Sequence, residues 1–183
     1  MGTEMNQIGL LIASSQMQDP NFSGSVVLMC QHNEKGAFGI VINRQTNLTV
    51  GEVLDDEVFT RPSAALRPVL WGGPVNQQIG FVLYKGFISE EIGWNLANGE
   101  ISVTQSRDIL ERMIREEREY RLVLGSAGWG PGQLEDEIAE GSWFYTEADA
   151  ATVIDTPLSN IYDAALASLG LSQATAWMAP VNE

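Results

Sequence analysis

Two apolar, β-rich runs, Ser25–His32 and Ala37–Arg44, stand on either side of Asn33-Glu34-Lys35-Gly36. Strand-length runs joined by four turn residues, with a glycine to take a positive φ, specify a β-hairpin. Closing that hairpin sets His32 opposite Ala37, Cys30 opposite Gly39 and Val26 opposite Asn43. Side chains alternate faces along a strand, so Cys30, His32 and Asn43 are expected on one face. The other face would carry Val27, Met29, Phe38, Ile40 and Ile42, an apolar set that must pack into a core.

The rest of the chain is read around that hairpin. Gln7–Ser14 is a buried first strand, and Asp19-Pro20 with Asn21-Phe22 marks an ordered turn in which Asp19 bonds local amides. Val50–Asp56 is a short helix. Val69–Trp71 and Gly80–Tyr84 flank Gly72-Gly73-Pro74 and suggest a second hairpin. Ile101–Thr104 is a short strand, followed by Ser106 as the N-cap of a helix to about Glu117, with Ile109, Leu110, Met113 and Ile114 at helical spacing. Arg121–Ser126 is a strand, Gln133–Glu140 a helix and Ser142–Tyr145 a strand. Asp155 or Thr156 caps a last helix with Pro157 first, an inner face of Ile161, Ala165, Leu166 and Leu169, and Gly170 beyond its end. Early hairpins and later strand–helix alternation predict an α+β fold on a mixed sheet. No repeat, low-complexity tract or linker divides the 183 residues, so one domain over 1–183 is expected, long enough to bury roughly 70% of its unfolded surface.

Charge excludes several partners. Ten basic residues face 24 acidic ones, giving −14. From Leu122 to Glu183 there are nine acids and no Lys or Arg. Such a surface repels phosphate backbones and anionic lipid. Arg107, Arg112, Arg115, Arg118 and Arg121 are matched by five acids, and Glu111/Arg115, Arg112/Glu116 and Arg115/Glu119 have the i, i+4 spacing of a solvated helix face. The lesser reading is a stripe of Arg112, Arg115 and Arg118 on one side. No apolar run approaches the roughly 18 residues of a membrane span. No Lys or Arg precedes Lys35, so no secretory leader is expected, Asn6 stands where a myristoylation motif wants Ser or Thr, and a lone Cys30 makes no internal disulfide. The expectation is a soluble cytoplasmic protein.

The single Cys and the single His sit two residues apart. A thiolate beside an imidazolium serves as nucleophile or redox centre, while a buried free Cys is simply a small apolar residue. Two ligands do not make a metal site, so neither a metal nor another cofactor is expected. Ser126-Ala127-Gly128-Trp129-Gly130-Pro131-Gly132-Gln133 reads as strand, glycine-rich loop and helix start, the parts of a phosphate cradle. It lacks a Walker lysine and G-x-G-x-x-G, and Glu135, Asp136 and Glu137 would repel phosphate. Trp129 then anchors a tight turn, or Trp129, Gln133 and Glu135 wall a pocket.

The strings themselves resemble a family. Leu10-Leu11-Ile12-Ala13-Ser14, Met17-Gln18-Asp19-Pro20-Asn21-Phe22, Ser25-Val26-Val27-Leu28, Cys30-Gln31-His32-Asn33, Gly36-Ala37-Phe38-Gly39 and Val41-Ile42-Asn43-Arg44 come in order. Gly72-Gly73-Pro74-Val75, Ser106-Arg107-Asp108-Ile109-Leu110 and Ala127-Gly128-Trp129-Gly130-Pro131-Gly132-Gln133-Leu134-Glu135-Asp136-Glu137 follow, with Trp143 shortly after. Together they are similar to the bacterial AlgH/YqgE family over about residues 8–170. The sequence departs at Ser15-Gln16, at Gln31 and in an atypical tail over 171–183. The resemblance implies a compact α+β domain with a curved, partly barrel-like sheet flanked by helices. It also implies a regulatory role, under a transcriptional-regulator label tied to alginate synthesis, with no defined molecular activity. Without a basic face or helix-turn-helix, regulation through a protein partner or small ligand fits the charge better than DNA contact. The binding candidates are His32, Asn43, Arg44, Trp129, Gln133 and Glu135. The rival is an enzyme or redox-responsive protein using Cys30/His32, or Glu135 as general base. Oligomeric state is left open.

Overall fold

The structure, a computed structural model, describes residues 9–87 and 92–176. In chain order the elements are strands β1 (Gly9–Ala13), β2 (Val26–Asn33), β3 (Gly36–Val41) and β4 (Gln45–Thr49), then helix α1 (Val50–Val53). Strands β5 (Pro68–Trp71), β6 (Val75–Lys85), β7 (Gly93–Leu96) and β8 (Ile101–Thr104) lead to α2 (Arg107–Arg115) and β9 (Tyr120–Trp129). The chain continues through α3 (Gln133–Ala139), β10 (Trp143–Glu147), α4 (Ile161–Ser168) and α5 (Gln173–Ala176). Residues 7 and 8 of the expected first strand lie outside the described residues.

The strands form one mainly antiparallel sheet in the order β10-β1-β2-β3-β9-β6-β8-β7, with β5 on β9 and β4 on β5, and the sheet does not close. The β5–β9 pairing is parallel, so the sheet is mixed within an α+β fold. Ser106 caps α2 through its Oγ, which accepts the Ile109 N–H at 3.3 Å. Leu110, Met113 and Ile114 then bury against Val82, Tyr84, Tyr120 and Leu122. Each such apolar side chain contributes about 1.5–3 kcal/mol on full burial. Helix α4 covers the opposite part of the sheet with Ile161, Ala165 and Leu166, while Leu169, expected inside, is 37% exposed at the helix end.

The hairpin register differs from the expected one. His32 does pair with Ala37, and Gln31 with Phe38, but the register shifts between Met29 and Gln31, so Met29 pairs with Gly39 and Val27 with Val41. Cys30 is the extra residue of a β-bulge, and a bulge reverses the facing of everything beyond it. Val26, Leu28, Cys30, Ile40 and Ile42 therefore share one core with Phe38 packed on it. Val27, Met29, Ala37 and Val41 share the other. Gly39 permits the bulge, since a Cβ there would lie 2.8 Å from the Leu28 carbonyl oxygen. The turn itself is two residues long, with Gly36 at φ +134° pairing with Asn33.

The second hairpin does not form. β9 lies between β5 and β6, pairing with both. The chain passes from β5 to β6 by threading Gly72-Gly73 against the β9 backbone. A Cβ on Gly73 would sit 2.1 Å from the Ser126 oxygen, and one on Gly125 2.4 Å from the Gly73 oxygen. Only glycine allows that approach. β9 also runs three residues past Ser126, leaving Gly130–Gly132 as the loop. The last helix starts later than Pro157: Ala151–Asp155 forms a π-helical turn, and Arg121 Nη2 binds the carbonyls of Ile154 at 2.7 Å and Thr156 at 2.5 Å. Carbonyls taken by a buried guanidinium are not available to start a helix.

Candidate functional site

Helix α3 is docked by Leu134, 1% exposed, which packs with Trp129, Ala37 and Met29. Gly132, at φ +74°, turns the chain into the helix, and Gln133 folds back so that its Oε1 accepts the Gly130 N–H at 3.0 Å. With Leu134 turned inward, Glu135 points out toward β2. Its Oε1 lies 2.5 Å from Nε2 of His32, which the bulge has placed on the α3 side of the sheet. Burial pushes the Glu135 carboxyl up, but its own backbone N–H and the His32 bond and charge outweigh that and lower its pKa.

Trp129 ends β9 beneath this pair. It stacks on Phe22 at 6.2 Å and meets Trp143 edge-on at 6.1 Å, while Phe22 and Trp143 are 5.6 Å apart. The ring is 7% exposed, so it anchors the turn. Glu137 belongs to the same assembly and is not among the binding residues expected from the sequence. Burial raises its pKa, against the opposing influence of Trp143, Gln133 and Trp129, and Glu140 raises it further. Its Oε2 and the Trp143 indole N–H are both buried without a hydrogen-bond partner. The sequence signal was Gln133/Glu137 spacing, which puts both on one helix face.

Asn43 and Arg44 stand at the far end of β3 from the hairpin turn and serve the backbone. Asn43 Oδ1 accepts the Val26 N–H and its Nδ2 donates to the Gly24 carbonyl, both at 2.9 Å. Arg44 donates to the carbonyls of Asn21 at 2.6 Å and Ser23 at 2.5 Å, with its guanidinium 5.3 Å over the Trp71 ring. They hold the segment that presents Phe22 to Trp129. The structure thus gathers His32, Trp129, Gln133 and Glu135, and sets Asn43 and Arg44 apart as its scaffold.

Cys30 is 1% exposed in the core on the opposite side of the sheet from His32. Burial drives its thiol pKa far above the ordinary value. A shared Cys30–His32 face is therefore corrected: the bulge separates them. Among the described residues no three His, Cys, Asp or Glu converge as metal ligands. The stripe of Arg112, Arg115 and Arg118, the lesser reading of the sequence, does not run along one helix, since α2 stops at Arg115 and Arg118 lies past it. Of the three expected helix pairs, Glu111–Arg115 forms at 3.3 Å; Glu111 also takes Arg107 at 3.0 Å, and Glu119 goes to Arg67 at 3.1 Å.

Comparison with known proteins is consistent over nearly the whole chain. A family model described as AlgH-like matches residues 10–174. A UPF0301 protein of Photobacterium profundum is 42% identical over 174 residues, covering 90% of this chain and 91% of the relative. One from Thioalkalivibrio sulfidiphilus is 44% identical over 164 residues, with 88% of each covered. The solution structure of the AlgH protein from Pseudomonas aeruginosa superposes with a TM-score of 0.76 at 33% identity, over 99% of this chain and 96% of that one. A crystal structure of a Corynebacterium diphtheriae protein shares the fold, with a TM-score of 0.69 at 24% identity over 87% and 85%.

Proposed function

The chain belongs to the AlgH-like family, and from that membership we propose that it is a bacterial cytoplasmic regulatory module that binds a protein partner and is not an enzyme. The observation that carries this reading is the separation of the two reactive groups. The only thiol is sealed in one core, and the only imidazole is engaged by Glu135 on the other side. Nucleophilic catalysis needs the two within hydrogen-bond reach. Glu135, with its pKa lowered, is a weak base, which counts against a general-base role.

The contact surface in this reading is the ridge around the His32–Glu135 pair. Glu34 and Lys35 of the hairpin turn, Gly130–Gln133, Glu135 and Asp136 are all exposed. Small ligands need 70–90% of their surface enclosed, so an exposed ridge suits a protein better. Its acidic residues outnumber Lys35 and favour a partner face carrying Lys or Arg. Duplex DNA fits poorly, because its affinity rests on phosphate neutralisation by basic residues. No described helix is long and apolar enough to cross a membrane.

A photoreactive residue placed in living cells at Lys35, with a control at exposed Arg115 on α2, tests this. A discrete protein adduct from position 35, absent from position 115 and weakened by Glu135→Ala, is expected. Equal adducts from both positions, or none from position 35, would overturn it.

A further inference from the structure

Away from that ridge, the 3-10 turn Pro62–Leu66 meets the C-terminal end of α2 and the start of β9, and the surface folds inward there. The crevice has a volume of about 130 Å³. Its walls bring three guanidiniums, Arg61, Arg67 and Arg118, against one carboxylate, Glu117. On a chain with 24 acids and 10 bases, the lining of this crevice itself carries more cation than anion, while Glu119 and Glu116 pair with Arg67 and Arg118 from outside it. We infer that it is a binding site for a phosphate monoester on a small organic body, independent of whether the His32 ridge engages a partner.

Arg67 is held ready for such a ligand. Its Nη1 donates to the Tyr120 carbonyl, its guanidinium lies 4.5 Å over the buried Tyr120 ring, and its carboxylate neighbour, the exposed Glu119 at 3.1 Å, is the group an oxoanion would displace. A planar fork fixed by stacking loses little freedom when it binds an oxoanion. Arg61 and Arg118 are held by longer contacts. Arg61 Nε reaches Glu117 Oε1 at 3.4 Å, and Arg118 Nη1 reaches Glu116 Oε2 at 3.9 Å, all four side chains being about half exposed or more. Long, exposed ion pairs of this kind contribute little, so a phosphate making short charge-assisted bonds displaces them.

Glu117 occupies the place such a ligand would take. It follows the Glu116 C-cap of α2 at φ +53°, a left-handed position that favours glycine. A carboxylate is kept there in spite of the backbone, and it faces Arg61 as a stand-in anion. The buried side chains of Met113 and Ile114 give the crevice an apolar lining. Its volume is well below the roughly 300–1,000 Å³ of sites for drug-sized molecules, which restricts the occupant to a small head. The remote acidic surface does not forbid a small anion, because fields beyond about 8 Å are screened at physiological salt.

The test is a titration of the isotope-labelled chain with phenyl phosphate by amide NMR at fixed ionic strength, with benzoate as the carboxylate control. Saturable shifts confined to 61–67 and 113–120 are expected, with benzoate about tenfold weaker. Arg61→Ala and Arg118→Ala should each weaken binding by about tenfold, the usual effect of one charge-assisted contact. Glu117→Gln should tighten it, a sign that a merely structural Glu117 would not produce. Unsaturable or dispersed shifts, equal binding of benzoate, or weaker binding by Glu117→Gln would each overturn the assignment.

Discussion

His32 Nε2 lies 2.5 Å from Oε1 of Glu135, tying the first hairpin to helix α3 across 103 positions of sequence. The bond joins a mostly buried imidazole to a half-exposed carboxylate, with side chains 11% and 51% exposed. It closes one edge of the core formed by Trp129, Leu134 and Trp143.

The carboxyls of Glu135 and Glu137, two residues apart on α3, are shifted in opposite directions, and their amide variants should differ in sign. The folded-state pKa of Glu135 is lowered, so its stabilisation is present above the ordinary carboxylate value of about 4.3 and is lost as pH falls through the lowered one. Glu135→Gln should destabilise at pH 7, by less than about 1 kcal/mol for so exposed a pair, with the loss fading toward pH 3. The folded-state pKa of Glu137 is raised, chiefly by burial. Its contribution is complete below the ordinary value and lost as pH rises through the raised one, so Glu137→Gln should stabilise at pH 7 and change little at pH 3. Urea midpoints at the two pH values check both.

Asn43→Ala should act on the loop it ties and leave the ridge alone. It strands the Val26 N–H and frees the Gly24 carbonyl. Losing the partner of a buried donor costs about 1–3 kcal/mol. Hydrogen exchange should rise across residues 19–26, with the amides of 130–137 unchanged. Faster exchange at α3 would show that Asn43 belongs to the ridge after all.

Gly125→Ala should be among the most damaging single substitutions in the sheet. The residue has φ +85°, and its added Cβ would press on the Gly73 oxygen. Left-handed strain of about 1–3 kcal/mol combines with overpacking of about 1–3 kcal/mol. A drop of about 3 kcal/mol or more in unfolding free energy is expected. A change below about 1 kcal/mol would contradict the close crossing of the β5–β6 link and β9.

The elements whose patterns are local were readable from sequence. Ser106 and the Leu110, Met113, Ile114 spacing fixed α2, and the apolar runs located β2 and β3. What escaped were features set by distant partners. The run Val26–Cys30 is buried on both faces, so no polar alternation marked its register, and the bulge at Cys30 left no local trace. β9 came between two strands that looked like hairpin neighbours because its pairing partners lie far off in sequence, the nearest being Tyr84 with Tyr120. At the site, helical spacing and the glycine-rich turn pointed to Trp129, Gln133 and Glu135. Asn43 and Arg44 drew notice as polar groups at a strand end, where their partners turned out to be backbone atoms of the preceding loop.

The thiol and the imidazole lie on opposite sides of the sheet, and the most direct measurement of that separation is the alkylation rate of Cys30 by iodoacetamide from pH 6 to 9. The native chain should react only as fast as it unfolds, with the same profile in His32→Ala. Rapid native alkylation with an inflection well below the unperturbed thiol value of about 8.5, lost in His32→Ala, would contradict it.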